Sequence, residues 1–367
     1  RQERPSRKAD VAQMARVCDA LPLISFFWPL VSAQDHGLTA PLHECHAGLT
    51  NTLKHVRGGT TVFRQLAQYI VEMATVVAGS ESERRKRPPI CGNICTIAPL
   101  AHDEDGIESA LTYAEAGIPT SFMAMPTMGS TAPATPMGAL VTGDAEVVSA
   151  MVLIQLAYPG APVFHSNYIS LMDPRTGGYI SDTSIPLVIM AAQMAHAWNV
   201  PSLGGGSVSS DGKEIGWQSG TKSGLGSVMI PLGGGEICGY LGMLDGSMLL
   251  YPEQVILDHE ICWEAYEYFR KFEFEVPDMA LDVIAAVGPG SHFLKQKHTR
   301  DHIRDFRLSP ILHRNDSNGR RLDPQEAALA EFKRLNQDHH PEPLPQEKLL
   351  ELDRILEAAD REAERIG

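Results

Sequence analysis

The sequence has little positive charge for its size. It contains 31 Lys and Arg residues against 45 Asp and Glu residues, which gives a formal net charge of −14 at pH 7. Because nucleic acids and anionic lipid surfaces bind proteins largely through basic side chains, neither is expected as a partner. Only 21% of the residues are charged and 43% are hydrophobic. This composition excludes a disordered chain and predicts a large buried core.

Long apolar runs and a targeting leader are also missing. The longest runs, 26–31 and 184–198, are too short or too interrupted by Pro and polar residues to span a bilayer. No basic, apolar leader opens the chain. We therefore expect a cytoplasmic protein without a membrane segment. Residue 1 is Arg and the first residues resemble the interior of a longer sequence, so we expect further sequence upstream.

The cysteines are too few and too scattered for a disulfide framework. Six of them are spread over 367 residues, whereas disulfide scaffolds concentrate cysteines in short chains. We expect reduced thiols at Cys18, Cys45, Cys91, Cys95, Cys238 and Cys262.

Seven apolar segments alternate with helix signals along the chain. The segments are 21–28, 53–57, 90–97, 119–126, 162–168, 201–205 and 236–241. Each is apolar on both faces, as parallel strands covered by helices are. The intervening segments 102–116, 143–158 and 184–198 begin with acids or Pro and end near Gly, Pro or Asn, which predicts helices.

Seven such βα units fit either a doubly wound sheet or a (β/α)8 barrel of the TIM type. A doubly wound nucleotide-binding fold needs a GxGxxG turn after its first strand, and the sequence lacks one. The glycine triplets 204–206 and 233–235 do not stand in that context. We therefore predict the α/β barrel. Since a closed barrel of this type has eight strands, we expect its first strand to lie upstream of residue 1.

The pattern changes towards the C-terminus. From about residue 281 the chain is charged and His-rich, and residues 324–367 are rich in Ala, Glu, Leu and Arg. Apolar residues in this tail recur every three or four positions, which predicts an amphipathic helix. We divide the chain into a barrel domain, residues 1–305, and a helical extension, residues 306–367. The extension is expected to pack on the barrel or on a second subunit of a homo-oligomer.

Aromatic and polar residues gather at the predicted carboxyl ends of strands, where βα barrels carry their function. Phe26 and Trp28 end the first strand on one side. They are either core residues or one wall of a cage for a methylated ammonium, because aromatic rings attract cations. His165 and Asn167 interrupt an apolar strand, and they either contact a ligand or are buried beside satisfying neighbours.

Two further strand ends carry candidate residues. After the sixth strand, Asp211 either contacts a ligand or caps the next helix. Glu236, Cys238 and Tyr240 alternate onto one face of the seventh strand, where a carboxylate needs a partner or a raised pKa. Small residues that would let a bulky ligand approach the backbone precede Asp211: Gly204, Gly205, Gly206 and Ser207.

A zinc site is a weaker hypothesis. His43, Glu44, Cys45 and His46, together with the two cysteines of the third strand segment, could supply soft ligands, and zinc would activate a thiol acceptor. No paired CxxC is present, however, and the helical HxxH spacing differs from that of HExxH. We expect no tightly bound metal.

The sequence resembles the trimethylamine methyltransferase superfamily, which includes the glycine betaine:corrinoid methyltransferases. The resemblance runs in order through most of the chain. It rests on RPSRKADVAQMARVCDALPLI, WPLVSAQD, NTLKHV, the long segment from IAPLAHDEDG to PMGAL, GAPVFHSNYISLMDPRTGGYISDTS, GGGSVSSDGKE, YLGMLDGSMLLYPEQVILDHEI and GPGSHFLKQKHT. It implies a (β/α)8 barrel that passes a methyl group from a methylated amine to the cobalt of a corrinoid, a cobalamin-type cofactor carried by a separate protein.

The chain departs from the trimethylamine-specific members, which use pyrrolysine as an electrophile, because it contains no such residue. It is more similar to the betaine branch, whose quaternary nitrogen is already cationic and activated for direct attack by Co(I). The barrel then only has to position the substrate. The resemblance and the strand ends together imply Phe26, Trp28, Tyr168 and Tyr240 as ammonium contacts and His165, Asn167 and Asp211 as polar contacts.

We assign catalytic roles to His165, Asp211 and Glu236, substrate contacts to Phe26, Trp28, Asn167, Tyr168 and Tyr240, and cofactor contacts to the segment 204–207. Two alternatives are a zinc-dependent methyltransferase with a thiol acceptor and a barrel that binds methylated amines without catalysis. Stoichiometric zinc in the purified protein would favour the first alternative.

Overall fold

The computed structural model describes residues 3–58, 63–181, 184–204, 209–269, 275–305, 309 and 311–366. Its strands are β1 (Phe26–Phe27), β2 (His55–Arg57), β3 (Ile90–Cys95), β4 (Thr120–Ala124), β5 (Thr127–Met128), β6 (Val163–Asn167), β7 (Ser170–Met172), β8 (Tyr179–Ile180), β9 (Leu203–Gly204), β10 (Ile237–Cys238), β11 (Met243–Leu244) and β12 (Leu249–Leu250). Its helices are α1 (Lys8–Ala20), α2 (Ala40–Asn51), α3 (Arg64–Ala78), α4 (Glu81–Lys86), α5 (Glu104–Ala116), α6 (Pro136–Ala157), α7 (Ile185–Ala197), α8 (Trp217–Leu232), α9 (Pro252–Phe269), α10 (Leu281–Val287), α11 (Lys297–His302), α12 (Pro324–Asp338) and α13 (Gln346–Ile366).

Parallel strands form the centre of the fold. One sheet has the order β1, β2, β3, β4, β6, with every neighbouring pair parallel. An isolated bridge between His165 and Ser202 continues this order to β9, which pairs in parallel with β10. The seven predicted strands are therefore present in the predicted order, although each is shorter than predicted. In the described part of the chain, β1 and β10 each pair with one neighbour and form the two edges.

Both faces of this sheet carry apolar side chains, as predicted, but each face also carries buried polar residues, among them Arg57, Asn93 and His165. On the outer face, Phe27 and Val56 pack against helices in the main core. On the opposite face, here called the inner face, a smaller cluster includes Met123, Phe164 and Leu203. Side chains that alternate along one strand therefore enter two different environments.

Helices α5 and α7 lie where the sequence predicts them. The side chain of Asp103 caps α5 by accepting a hydrogen bond from the Gly106 N–H at 2.8 Å. The helix ends at Gly117, whose φ of 74° is in the left-handed region.

The predicted start of α6 at residue 143 is wrong, because the helix begins at Pro136 with Thr135 as its N-cap. Asp144 and Glu146 are buried in the helix interior and bind groups of other elements instead of forming an acidic first turn. Among the described helices, α6 alone is long and apolar enough to cross a bilayer by length and composition. Half of its most apolar window is buried in the protein, and buried core helices pass the same test.

Two small sheets shape the loops after the parallel strands. Strands β5, β7 and β8 form one, and β11 and β12 form an antiparallel hairpin. Sequence alternation did not predict them, because runs of two or three residues are too short to show a period.

The C-terminal helices pack on the rest of the chain. Helix α12 contacts α9 and α1, and α13 contacts α3 and α2. Leu352 and Ala359 of α13 are fully buried members of the main core. The domain boundary at residue 305 stays a prediction.

Candidate functional site

A buried arginine lies at the carboxyl end of β2 on the inner face. Arg57 is 1% exposed, and its Nη2 donates hydrogen bonds to Asn93 Oδ1 and, at 2.9 Å, to Ser121 Oγ. Its Nε and Nη1 have no hydrogen-bond partner among the described residues. Burial lowers the pKa of the Arg57 guanidinium to about 10, so the group is charged at neutral pH.

Two of the predicted ammonium contacts meet beside this arginine. The rings of Trp28 and Tyr240 lie 4.4 Å apart and are tilted by 59°. The Arg57 guanidinium lies 3.5 Å from the centre of the Trp28 ring, a cation–π contact. Tyr240 adopts a φ of 71°, which is uncommon for a bulky residue. This conformation directs the ring towards Trp28, so the strand alternation predicted for Glu236, Cys238 and Tyr240 ends before Tyr240.

A cavity of about 510 Å³ lies between the two edge strands β1 and β10. Its walls include Phe26, Trp28, Tyr240 and Glu236, and residues of α8 and α9 complete it. Three of the four predicted aromatic contacts therefore line one cavity, although Tyr240 lies more than 200 positions from Phe26 and Trp28 in the sequence.

A second polar cluster contains Tyr168 and Asp211. The Oγ of Ser184 donates to the Tyr168 hydroxyl at 3.3 Å. Asp211 accepts hydrogen bonds from the N–H and Oγ of Ser181, at 2.7 and 2.6 Å. Lys222, which is 3% exposed, donates to the Ser181 carbonyl and to Ser184 Oγ at 3.0 and 3.2 Å. Burial raises the pKa of the Tyr168 phenol, so it remains protonated and can donate.

The capping alternative for Asp211 does not hold, because α8 begins after Gly216 as its N-cap. The carboxylate instead joins the loop of β8 to the segment after β9. Asp258 stabilises the neighbouring loop in a similar way by accepting hydrogen bonds from Gly242 N–H and Ser223 Oγ, both at 2.6 Å. Burial raises the pKa of the Asp258 carboxyl to about 6.

His165 and Asn167 face the helices and not the inner face. His165 is fully buried, and its Nε2 lies 2.9 Å from Asp144 Oδ1 of α6. Asn167 donates to the Leu140 carbonyl of the same helix at 3.1 Å. Gly143 allows this close approach, since a Cβ there would meet the Asn167 amide. The observed contacts of both residues join β6 to α6.

Glu236 lies at the amino end of β10, opposite to the predicted functional end. Its carboxylate accepts from Ser202 N–H at 2.9 Å and Ser202 Oγ at 2.6 Å, and His196 Nε2 lies 2.6 Å away. Burial would raise the pKa of Glu236, but these hydrogen bonds outweigh it and lower that pKa. A hydrogen-bonding partner was one of the two expectations for this buried carboxylate, and Ser202 provides it.

The glycine segment is described in part. A Cβ at Gly204 would lie 3.1 Å from the Ile237 carbonyl oxygen, so the glycine lets β9 and β10 pack closely. Gly205, Gly206 and Ser207, which were predicted as cofactor contacts, lie outside the described residues.

The residues of the zinc hypothesis are not gathered. His43 and His46 of α2 lie 3.0 and 3.1 Å from Asp360 and Asp353 of α13, whereas Cys91 and Cys95 belong to β3. No group of three or more potential ligands lies together in the part of the chain that the structure describes. All six cysteines are within it and are free thiols, as predicted.

Three residues of the site are not among those predicted from strand ends: Arg57, Asn93 and Lys222. Arg57 stands at the carboxyl end of a predicted strand, where βα barrels carry their function, and that position was its signal, although Lys54 and His55 in the same segment are also basic. Lys222 carries no such signal, because its burial in α8 depends on the loop of β8 that folds over it.

Comparisons with known proteins find similar sequences. A family model described as trimethylamine methyltransferase (MTTB) matches residues 1–355. A trimethylamine methyltransferase of Desulfitobacterium hafniense (strain DSM 10664 / DCB-2) is 29% identical over 98% of this chain and 73% of its own length. A glycine betaine methyltransferase of Desulfitobacterium hafniense (strain Y51) is 34% identical over 68% of this chain and 52% of its own length.

A third relative, a trimethylamine methyltransferase of Methanosarcina barkeri, is 30% identical over 84% of this chain and 62% of its own length. The chain therefore spans between about half and three quarters of the length of these relatives.

Proposed function

Since the chain belongs to the trimethylamine methyltransferase family, as the sequence resemblance predicts, we propose that it moves a methyl group from a betaine-like methylated amine to the Co(I) corrinoid of a partner protein. One observation carries the proposal: Phe26, Trp28 and Tyr240 line a single cavity. Aromatic rings around a cavity bind quaternary ammonium groups through the ring quadrupoles.

We propose that the fold is a (β/α)8 barrel. Support comes from the sequential order of the seven parallel strands and from the contact between Trp28, after β1, and Tyr240, after β10. In a barrel the first and last strands of such a series approach each other.

The protein's own contribution would be to bind and orient the substrate. Phe26, Trp28 and Tyr240 would surround the methylated nitrogen, and Tyr168 and Asp211 would hold the neighbouring loop of β8 in place. Orientation alone accelerates a methyl transfer strongly, because the reacting groups no longer have to find each other in solution. The catalytic roles of His165 and Glu236 stay predictions, and their observed contacts support a positioning role.

The corrinoid, when bound, would supply the nucleophile that accepts the methyl group. Exposed apolar side chains in loops after the parallel strands provide a surface suited to a macrocycle and its carrier protein. Leu100, Met125, Trp217 and Met248 are between 43% and 83% exposed. They follow β3, β4, β9 and β10, at the end of the sheet where Tyr240 lies.

We further propose a cytoplasmic homo-oligomer. Helix α6 exposes apolar side chains, among them Val141 and Leu156, which are 63% and 81% exposed. Its two acidic residues, Asp144 and Glu146, are buried. A charge-free face is suited to self-association of a chain with a net charge of −14.

The proposal is tested by mixing the protein with free Co(I) cobalamin and a panel of glycine betaine, carnitine and trimethylamine. The expected result is a single-turnover change in cobalamin absorbance with at least one methylated amine. Binding of an amine without any absorbance change would support a non-catalytic binding barrel instead. Stoichiometric zinc together with methylation of an added thiol would support the zinc-dependent alternative.

A matched pair of variants tests whether the amine binds in the cavity. Trp28→Ala should weaken binding of a quaternary amine by about 1–2 kcal/mol, because it removes a ring from the cage. Trp198→Ala removes a half-exposed ring outside the cavity and should leave affinity unchanged. Equal effects of the two substitutions would contradict the assignment.

A further inference from the structure

Arg57 is a buried cation without a carboxylate partner among the described residues. The groups whose charges raise its pKa are Cys91, Tyr240 and Cys95, and none of them is a carboxylate. A buried ion without a counter-ion is strongly destabilising, so such groups are retained where a partner or ligand compensates them.

The guanidinium is nevertheless held in a fixed position. Its Nη2 donates to Asn93 and Ser121, whose Oγ also donates to Asn93 Oδ1 at 2.7 Å. The Trp28 ring covers one face of the guanidinium. These contacts fix the plane of the group, and no acceptor for Nε or Nη1 lies among the residues that the structure describes.

The unused donors are not a general property of buried arginines in this protein. Arg84 is 5% exposed, and its Nε and Nη2 donate to the Ala116 carbonyl while Nη1 donates to Thr75. Every nitrogen of the Arg84 guanidinium therefore has an acceptor. Arg57 differs because two of its three nitrogens have no acceptor in the described part of the chain.

We propose that Arg57 binds the anionic end of the substrate and thereby selects zwitterionic amines that carry a carboxylate. This inference rests on the proposed function. A guanidinium presents a fork of N–H donors that matches a carboxylate, and its unused donors provide the hydrogen bonds.

The positive charge of Arg57 beside the aromatic rings also favours a ligand that carries an anionic group. Trp28 and Tyr240 line the cavity and also lie beside Arg57. The Trp28 ring contacts the guanidinium, and the charge interaction with Tyr240 raises the pKa of Arg57. A purely cationic amine on these rings would be repelled by the nearby guanidinium. A carboxylate attached a short distance from the ammonium would pair with the guanidinium and offset this repulsion, so one zwitterion satisfies the aromatic rings and the arginine together.

The test is calorimetric binding of glycine betaine, choline, trimethylamine and acetate to the full chain in the absence of corrinoid. Choline carries the same trimethylammonium group with a neutral hydroxymethyl group in place of the carboxylate. The wild type should bind glycine betaine about 10- to 100-fold more tightly than choline, the size expected for hydrogen bonds to a charged group. Arg57→Gln should remove this preference by weakening the binding of glycine betaine, while choline should bind at least as tightly as before because the repulsion by the guanidinium is gone.

Two further variants serve as controls. Arg84→Gln removes the other buried guanidinium and should keep the preference for glycine betaine. Arg57→Lys keeps the charge, with one donor group in place of the fork, and should retain part of the preference. If Arg57→Gln does not fold, as judged by circular dichroism, the Lys variant still gives the decisive comparison.

Equal binding of glycine betaine and choline by the wild type, or equal weakening of both by Arg57→Gln, would overturn the inference while the proposed function stands. If the wild type binds none of the methylated amines, the proposed function fails. Acetate binding that is lost in Arg57→Gln would then still establish the anion site. If acetate does not bind, the anion site is overturned too.

Discussion

At the scale of single residues, the direction of a side chain decides its role. His165 and Phe164 are neighbours in β6, yet Phe164 joins the inner cluster and His165 binds Asp144 of α6. The sequence shows alternation but does not show which of the two apolar faces surrounds the cavity. The residues predicted from strand ends therefore divide between the cavity, which contains Phe26, Trp28 and Tyr240, and the helix layer.

The pairing of His165 with Asp144 gives a prediction about stability. Asp144 accepts hydrogen bonds from the His165 ring and from Trp198 Nε1 at 3.1 Å. Asp144→Ala should lower the free energy of unfolding in urea by about 1–3 kcal/mol, because it leaves a buried donor unpaired. Asp338→Ala, at a side chain that is 56% exposed, should change it by about 0.5 kcal/mol or less. An Asp144→Ala protein of normal stability without methyl transfer would instead place His165 in the chemistry.

The buried carboxyl of Asp258 gives a prediction about pH. Its pKa in the folded protein is about 6, against an ordinary value of 3.8, so the folded state favours its protonated form. The contribution of the Asp258 carboxyl to the unfolding free energy is therefore complete below the pKa of 3.8 in the unfolded chain, and it is lost as the pH rises through about 6. From pH 4 to 7, the unfolding free energy of the wild type relative to Asp258→Asn should fall by about 2 kcal/mol, because part of the effect is already lost at pH 4. A difference that stays constant or rises with pH would contradict this burial effect.

At the scale of elements, start and stop signals predict a helix well where they are local. Asp103 and Gly117 bound α5 as their residue types suggest, whereas the start of α6 was missed because Gly138 and Gly143 resemble turn residues. Gly143 is in fact required inside the helix, since Asn167 packs against it. A close approach between two elements is a tertiary property, and a local pattern cannot show it.

The last helix should belong to the same cooperative unit as the parallel strands. Leu352 of α13 is fully buried in the main core, so Leu352→Ala should lower the free energy of unfolding by about 2–5 kcal/mol. Leu350 in the same helix is 61% exposed, and Leu350→Ala should change stability by about 0.5 kcal/mol or less. Unfolding followed by circular dichroism should show one transition. Two transitions, with only the first shifted by Leu352→Ala, would make the C-terminal helices a separate unit.

At the scale of the whole molecule, the sequence predicted the order and direction of the parallel strands, because seven apolar segments separated by helices leave few arrangements. It did not predict which distant residues meet. Trp28 and Tyr240 come together only because β1 and β10 form the two edges of the strand series. Arg57 becomes a candidate only when the described residues around it are seen to include no carboxylate partner.

The fate of the substrate's methyl group tests the central claim most directly. Glycine betaine with one trideuterated methyl group is incubated with the protein and Co(I) cobalamin, and both products are analysed by mass spectrometry. We predict methyl-cobalamin and an equal amount of amine that has lost one methyl group. Because only one of the three equivalent methyl groups is labelled, both trideuterated and unlabelled methyl-cobalamin should form. Unchanged glycine betaine and unmethylated cobalamin, in a sample where the amine is shown to bind, would contradict methyl transfer by this chain.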